Sequence, residues 1–368
     1  MRVLIWQWGR RGAGPRFAAA LKAGFQRLPG TEAVLSLSSR AELLQGPDAP
    51  ACEWPVGTYA GIAEFAMQWI RAPARISTLA AHIRSLRPDI AICGMAGPLD
   101  LLMATALHRA GVRFAVVVHD ADSHPGDGFP LQMMLQRELS RRADALVSLT
   151  SHVAERLTTQ GLVRERDGRK RLLVRSRLPP FVFGPMPPPP RAHGGRLRLL
   201  SFGRLLPYKG LDLLAEALAA LGPSAEIEVR VVGSGPESAD LTELRRLGVT
   251  VENRWVPEGE LAELIAWADV MVLPYREASQ SGAAAAAIAA GRWILATRVG
   301  GMQEQLGGEA HVHFADPNAE SVTQTIRALL ATPAAGASPG IDVPADWQAM
   351  AADLADALAP LTVRAPVA

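Results

Sequence analysis

The feature that most constrains the fold is a polar turn, Ser279-Gln280-Ser281-Gly282, that opens directly into an alanine-rich run from Ala283 to Ala290. Alanine is the strongest helix former, so the run predicts a helix beginning at the glycine. The first N–H groups of such a helix have no intrahelical partner, and with the macrodipole they form a site for an anion such as a diphosphate. Methyl side chains also let neighbouring backbone or a ligand come close, where leucines would fill the space. After Gly291, the run Trp293-Ile294-Leu295-Ala296-Thr297 is apolar and bounded by glycines, which suits a buried parallel strand, and a second glycine turn, Gly300-Gly301, follows. A plain buried alanine helix in an α/β domain accounts for the same letters, so both readings stand at this point.

The rest of the chain bears on that choice. A length of 368 residues exceeds one ordinary core and points to two domains. With 49% hydrophobic and 20% charged residues the chain is globular and can bury sizeable cores. A net charge of only +2 argues against a dedicated nucleic-acid binder, while leaving room for a local basic face on a membrane-facing domain. Cys52 and Cys93 have neither metal-type spacing nor a disulfide framework, so a reducing, cytoplasmic setting is expected. The first apolar run stops at Gln7, far short of a signal-peptide core, and no stretch reaches membrane-spanning length. Any work at a membrane, such as the inner face of the cell membrane, is then peripheral.

In chain order, Arg2–Trp8 reads as a buried strand, followed by the turn Gly9–Pro15 and a helix over Arg16–Arg27. In that turn Gly12 and Gly14 permit close approach of a bound group such as the donor, and Arg10 and Arg11 suit an acidic acceptor or a phosphate; a simple strand-to-helix loop with solvated arginines fits equally. Residues 53–87 carry Trp54, Tyr59, Phe65, Met67, Trp69 and Ile70 interleaved with Arg71, Arg75, Arg84 and Arg87, which reads as helix. Core packing with snorkelling arginines is the blander account of that stretch, and an anionic lipid surface the sharper one.

Asp89–Cys93 and Phe114–Val118 flank a helical segment, Leu99–Ala110, and read as neighbouring parallel strands. The second runs into His119-Asp120-Ala121-Asp122-Ser123-His124, and open α/β sheets bind ligands at such strand ends. His119 and Asp120 there suit orientation and deprotonation of an acceptor hydroxyl, the carboxylate raising the basicity of the imidazole; Asp122 and His124 line the acceptor side. A polar loop with a helix cap is the alternative. His119, Asp122 and His124 are conceivable metal ligands, yet their spacing demands no coordination geometry, so no metal is expected. Ala145–Leu149 reads as a strand, Ser151 as the cap of the next helix, and Arg164–Arg171 as an exposed loop.

Leu178–Pro190, LPPFVFGPMPPPP, admits neither helix nor central strand and is a stiff extended boundary. It suggests an N-terminal domain over residues 1–182, a linker over 183–195, a C-terminal domain over 196–342 and a last helical segment over 343–368 that returns to the first domain. Past the linker, the strand Leu197–Phe202 leads through Gly203, Arg204 and Lys209 into a helix over Leu211–Leu221. The two cations suit a diphosphate, arginine as a planar fork and lysine as a point charge. The strand Glu226–Val232 closes in Gly233-Ser234-Gly235-Pro236, a turn that lets a flat ring lie against backbone, and Val249–Trp255 and Val270–Leu273 are further strands. Repeated β-α units with glycine turns give a second doubly wound domain.

Taken together, FGRLLPYKG, the GSGP turn, ADVMVLPYREASQSG, the alanine helix and ATRVGGMQE resemble the C-terminal half of retaining glycosyltransferases of the GT-B fold, glycosyltransferase family 4. The first-half run from Phe114 to Asp120 resembles that family as well. The resemblance implies an α/β fold of two Rossmann-like domains facing a cleft, and a nucleotide-diphosphate sugar as donor with no further cofactor. In this picture Arg204 and Lys209 hold the diphosphate and Gly233, Ser234 and Gly235 lie near the base. Gln280, Ser281 and Gly282 stabilise the leaving diphosphate without a metal, as preorganised donors aimed at developing charge do. His119 and Asp120 line the acceptor side. The family commonly carries two glutamates seven residues apart here, and aligning Gly291 puts Ala278 and Ala286 in their places. Glu277, one position off, is left to meet the sugar, and Glu304 is a candidate substitute carboxylate. The expected activity is transfer of a hexose to a hydroxyl of a glycan or lipid-linked glycan, as in polysaccharide biosynthesis. A nucleotide-sugar epimerase of the same fold and a non-catalytic sugar-nucleotide sensor or scaffold are the alternatives.

Overall fold

The computed structural model describes residues 1–46, 49–124, 126, 130–166, 169–223, 226–333 and 341–362. It divides into two compact units, Met1–Asp122 with Gly128–Arg177 and Pro344–Ala368, and Ser123–Asp127 with Leu178–Val343.

The first unit is built on β1 (Arg2–Gln7), β2 (Glu32–Leu37), β3 (Ile90–Cys93), β4 (Phe114–Val118), β5 (Ala145–Ser148), a short antiparallel hairpin of β6 (Glu165–Arg166) and β7 (Arg169–Lys170), and β8 (Leu172–Arg175). Apart from the hairpin the strands form one six-stranded parallel sheet in the order β2-β1-β3-β4-β5-β8. Strands of a parallel sheet are covered on both faces and must be apolar throughout, which explains why Val3, Leu4, Ile5 and Trp6 are all fully buried. The chain order reverses between β1 and β3, and the loops leaving those two strands diverge there.

The second unit repeats the design with β9 (Leu197–Arg204), β10 (Ile227–Ser234), β11 (Thr250–Asn253), β12 (Val270–Leu273), β13 (Trp293–Thr297) and β14 (Val312–Ala315), six parallel strands in the order β11-β10-β9-β12-β13-β14. Here the reversal lies between β9 and β12, so the loops after Arg204 and after Leu273 diverge from one crevice. Both units thus have the doubly wound architecture expected from the sequence.

Several local expectations are corrected. Residues 53–61 are not helical, and the helix expected to continue to residue 87 is two helices, Ile62–Ile70 and Ala72–Leu86, broken at Arg71. Pro73 lies in the first turn of the second helix, where its missing N–H costs nothing and where the first helix cannot run through it. Thr150, not Ser151, caps the helix Ser151–Thr159, its hydroxyl accepting from the Val153 N–H. The charged stretch 164–171 contains the β6–β7 hairpin and ends in a buried Arg171, whose guanidinium donates to the Ala143 carbonyl at 2.9 Å and to the carbonyls of Leu162 and Arg141. Strands β9 and β10 each run two residues further than expected, taking Gly203, Arg204, Gly233 and Ser234 into the sheet.

The C-terminal helix, Val343–Thr362, belongs to the first unit, with Trp347 edge-on to Phe17 at 5.2 Å. Its backbone comes so close to Gly24 that a Cβ there would lie 2.2 Å from the Trp347 carbonyl oxygen.

Candidate active site

At the β9–β12 reversal of the second unit, Arg204 ends β9, and Pro207–Lys209 form a single turn before the helix Leu211–Leu221. Gly210 carries the bend at φ 65°, with no room for a Cβ because the Pro274 carbonyl oxygen would be 1.8 Å away. That approach ties the β9 loop to the β12 loop. On it, the Arg204 guanidinium donates to the Tyr208 hydroxyl at 3.1 Å, and the Lys209 ammonium sits 3.8 Å from the centre of the Tyr275 ring. Both long cations are therefore held by aromatic side chains and keep charge at the crevice.

His124, in the Ser123–Asp127 segment that belongs to this unit, stacks on Tyr208 at 4.4 Å and meets the Glu277 carboxylate through Nδ1 at 3.1 Å. The Glu277 side chain is 49% exposed, whereas Ala278 is clamped below, its carbonyl accepting from Gly301. A Cβ on Gly300 would sit 1.9 Å from that same oxygen. The backbone thus fixes which of the two consecutive residues faces outward, and it is the glutamate.

The alanine run forms the helix Gly282–Ala289, capped by the Ser281 hydroxyl, which accepts from the Ala284 N–H at 3.2 Å and lies 3.2 Å from the Tyr275 hydroxyl. The role expected of the Ser281 amide is altered by a residue that the sequence did not single out. Gln305 accepts the Ser281 N–H at 2.7 Å and donates to its carbonyl at 2.9 Å, so this amide is already engaged. Among the described residues the Gly282 and Ala283 N–H groups remain as the helix's orphan donors at this end. The Gln280 side-chain oxygen is buried with no hydrogen-bond partner among them, an acceptor left to whatever enters the crevice. Glu304 is exposed on the short helix Met302–Leu306, one residue from the glutamine that reaches the turn.

The glycines expected to admit the base have a structural reason for being glycine. A Cβ on Gly233 would lie 1.6 Å from the Gly203 carbonyl oxygen, and one on Gly235 would lie 2.1 Å from that of Leu205. Close approach between β9 and β10 therefore fixes both. Asn253 then braces the turn, accepting from the Gly235 N–H and donating to its carbonyl, both at 3.1 Å. Ser234 is the last residue of β10 and pairs with Arg204.

In the first unit, His119 follows β4 and is buried, its ring edge-on to Phe17 at 4.9 Å and its Nε2 donating to the Gly94 carbonyl at 2.9 Å. Asp120 pulls the imidazole towards the charged form, as expected, but burial outweighs it and the pKa is lowered. His119 is thus a neutral imidazole with Nδ1 left to accept. Asp122 is held by Arg156 at 2.7 Å and by Gln160 at 2.8 Å, and the Arg156 hydrogen bond keeps its carboxyl below the usual range. It anchors the loop rather than offering an open carboxylate. Arg10 donates to the Ala60 carbonyl at 2.9 Å, and Arg11 and Gly12 are exposed. Gly14 packs on Gln7, whose amide nitrogen would be 2.7 Å from a Cβ there. Asp100, which the sequence did not mark, is fully buried beside β1 and β3, accepting from Gly97 N–H at 2.6 Å and Trp6 Nε1 at 3.2 Å; burial raises its pKa to about 7.

The family profile described as glycosyl transferases group 1 matches residues 196–332, and that of the glycosyl transferase 4-like domain matches residues 8–167. Between them they cover most of the chain and reach strands of both sheets. The chain belongs to the group 1 glycosyltransferases.

This glycosyltransferase also matches solved structures along its whole length. The Anabaena protein HepE, solved in complex with UDP and glucose, is 16% identical with a TM-score of 0.66 over 95% of this chain and 94% of its own. A glycosyltransferase from Rickettsia africae is 14% identical, with a TM-score of 0.63 over 98% and 95%. A putative UDP-N-acetylglucosamine 2-epimerase from Listeria monocytogenes is 13% identical, with a TM-score of 0.55 over 95% and 90%. At these identities the likeness shows the shared GT-B fold. No curated protein matches the chain in sequence. Among the described residues of the glycosyltransferase, no three His, Cys, Asp or Glu side chains are grouped to hold a metal ion, and no helix is long and apolar enough to cross a membrane.

Proposed function

We propose that this glycosyltransferase transfers a hexose from a nucleotide-diphosphate donor held by the second unit to a hydroxyl of a glycan or lipid-linked glycan, with retention of anomeric configuration and without a divalent metal. The observation that carries the reading is the gathering of Arg204, Lys209 and the Gly282–Ala289 helix start at the β9–β12 reversal. As the bond from the anomeric carbon to the diphosphate oxygen breaks, negative charge grows on the leaving group. Preorganised cations and N–H groups lower the barrier by meeting that charge, and two fixed cations do the neutralising that a metal ion does in other transferases. Glu277 lies on the same rim and takes hydroxyls of the sugar. The HepE complexes, with UDP, glucose and UDP-glucose, make UDP-glucose the first donor to try.

The neutral His119 supports a part in accepting and orienting the incoming hydroxyl, since its Nδ1 can take a hydrogen bond at neutral pH. Transfer of labelled glucose to a glycan acceptor tests the proposal, with NMR of the product giving the anomeric configuration. The expected outcome is retention, with loss of at least a hundredfold in rate for Arg204→Ala, the scale seen when one oxyanion-stabilising donor is removed. Full activity in that variant removes the donor clamp from the account. Hydrolysis or epimerisation of the nucleotide sugar without an acceptor favours the epimerase, whose fold this chain shares.

A further inference from the structure

We propose that the outer face of the helix Ile62–Ile70 is a docking surface for an anionic lipid bilayer. This goes beyond the transferase reading and stands or falls separately from it. The helix carries no buried residue, although it is strongly apolar. Its inner side is made by Phe65 and Trp69, packed against the core of the first unit, and by Gln68, which donates to the Thr58 carbonyl. Its outer side is also apolar. Ile62 is 88% exposed, Ile70 71% and Met67 41%, and Ala63 and Ala66 are exposed between them. At 3.6 residues per turn, Ile62, Ala66, Ile70, Ala63 and Met67 fall within an arc of about 140°, with Glu64 about 60° beyond it. An interior helix would have this face covered, and a solvated one would have it polar.

The charge around the helix selects the occupant. Arg71 closes its C-terminal end and is exposed. Arg10 reaches the Ala60 carbonyl just before its start, Arg75 reaches the Gly57 carbonyl, and Arg40 pairs with Glu64 at 3.3 Å. Four guanidinium groups therefore lie around the helix, Arg40 paired with Glu64 and Arg10 and Arg75 on backbone carbonyls, against the one carboxylate that the helix carries. A second copy of the chain would bring the same cations face to face. The apolar strip is also too small for a stable protein interface: a helix of nine residues is about 13 Å long and about 10 Å wide, roughly 130 Å² against the ~800 Å² that each partner ordinarily buries. A bilayer needs no such area, because isoleucine and methionine enter the acyl boundary while arginines remain among anionic headgroups.

The test is co-sedimentation of the whole chain with vesicles of phosphatidylcholine alone and of phosphatidylcholine with about 30% phosphatidylglycerol, at low and at ~0.5 M salt. The expected result is binding to the anionic vesicles only, weakened by salt. Ile62→Ser/Ile70→Ser should reduce it at least tenfold, and Arg71→Gln less. Because these side chains already face solvent, the variants should keep the wild-type Tm and the wild-type Tm shift with UDP. Failure to bind anionic vesicles, or equal binding by the Ile62→Ser/Ile70→Ser variant, overturns the proposal. So does a dimer in solution that this variant dissociates, which would assign the face to a second copy.

Discussion

Ser281 shows how one small side chain serves fold and site together. Its hydroxyl caps the alanine helix and lies against Tyr275, whose ring holds the Lys209 ammonium. Ser281→Ala should lower stability by about 0.5–2 kcal/mol, the ordinary cost of losing such a cap, measurable by urea unfolding. It should also weaken donor binding through Tyr275 and Lys209. Asp100 governs a pH effect. Its carboxyl titrates at about 7 in the fold, above its value of 3.8 in the open chain. A group raised on folding favours the native state at low pH, fully below the unfolded value, and that contribution is lost as pH rises through about 7. The Tm is therefore expected to fall between pH 5 and pH 8, and Asp100→Asn to flatten the fall. An identical pH slope in the variant would assign the effect elsewhere.

Among the elements, the chain's letters reveal most where an apolar run lies between glycines. Strand β13, between Gly291 and Gly300, and the alanine helix, between Gly282 and Gly291, are of that kind; strands β1, β3, β4, β5 and β12 are legible instead as short uninterrupted apolar runs. Strands β2, β8 and β14 are less legible for a physical reason. In β2, Ser36 is fully buried among apolar neighbours, and β8 and β14, at the sheet edges, are short and carry Arg175 and His313. The break at Arg71 was legible in Pro73 but lost beneath a long aromatic pattern. Within the candidate site, Arg204 and Lys209 stand out because charge beside glycine is conspicuous, and Glu277 because it lies one position from a glutamate place of the family. Gln305, Asn253 and Asp100 do not, since nothing local marks a side chain whose partner is far away in the chain: Gln305 serves Ser281 and Asn253 serves Gly235. The return of the C-terminal helix to the first unit is expected from the sequence, but the contact it makes at Gly24 is not marked locally. Gly24→Ala puts a methyl 2.2 Å from the Trp347 carbonyl oxygen and should cost at least the ~1–3 kcal/mol typical of overpacking. Faster proteolysis within Val343–Thr362 would show it; an unchanged pattern would contradict that contact.

For the molecule as a whole, two sheets with reversals in strand order each supply a crevice at the carboxyl ends of their strands. In the second unit the fixed charges are cationic and accompany a helix start, which suits a diphosphate. In the first unit the end of β4 carries instead a neutral imidazole, His119, which suits a hydroxyl. The lost glutamate places sharpen this division. Ala286 is 1% exposed, beside the apolar residues Phe181, Phe183 and Met186, so the proposed donor binding rests on the cations and the turn. The most direct test of that claim is the Tm of the wild type and of Arg204→Ala across UDP, GDP, ADP and TDP, with and without sugar. Ligands that bind only the native state raise Tm, by about 2.7 kcal/mol of stability at a hundred times Kd. A selective rise with one nucleotide diphosphate, abolished in Arg204→Ala, is predicted; no rise with any of them, or the same rise in the variant, would contradict it.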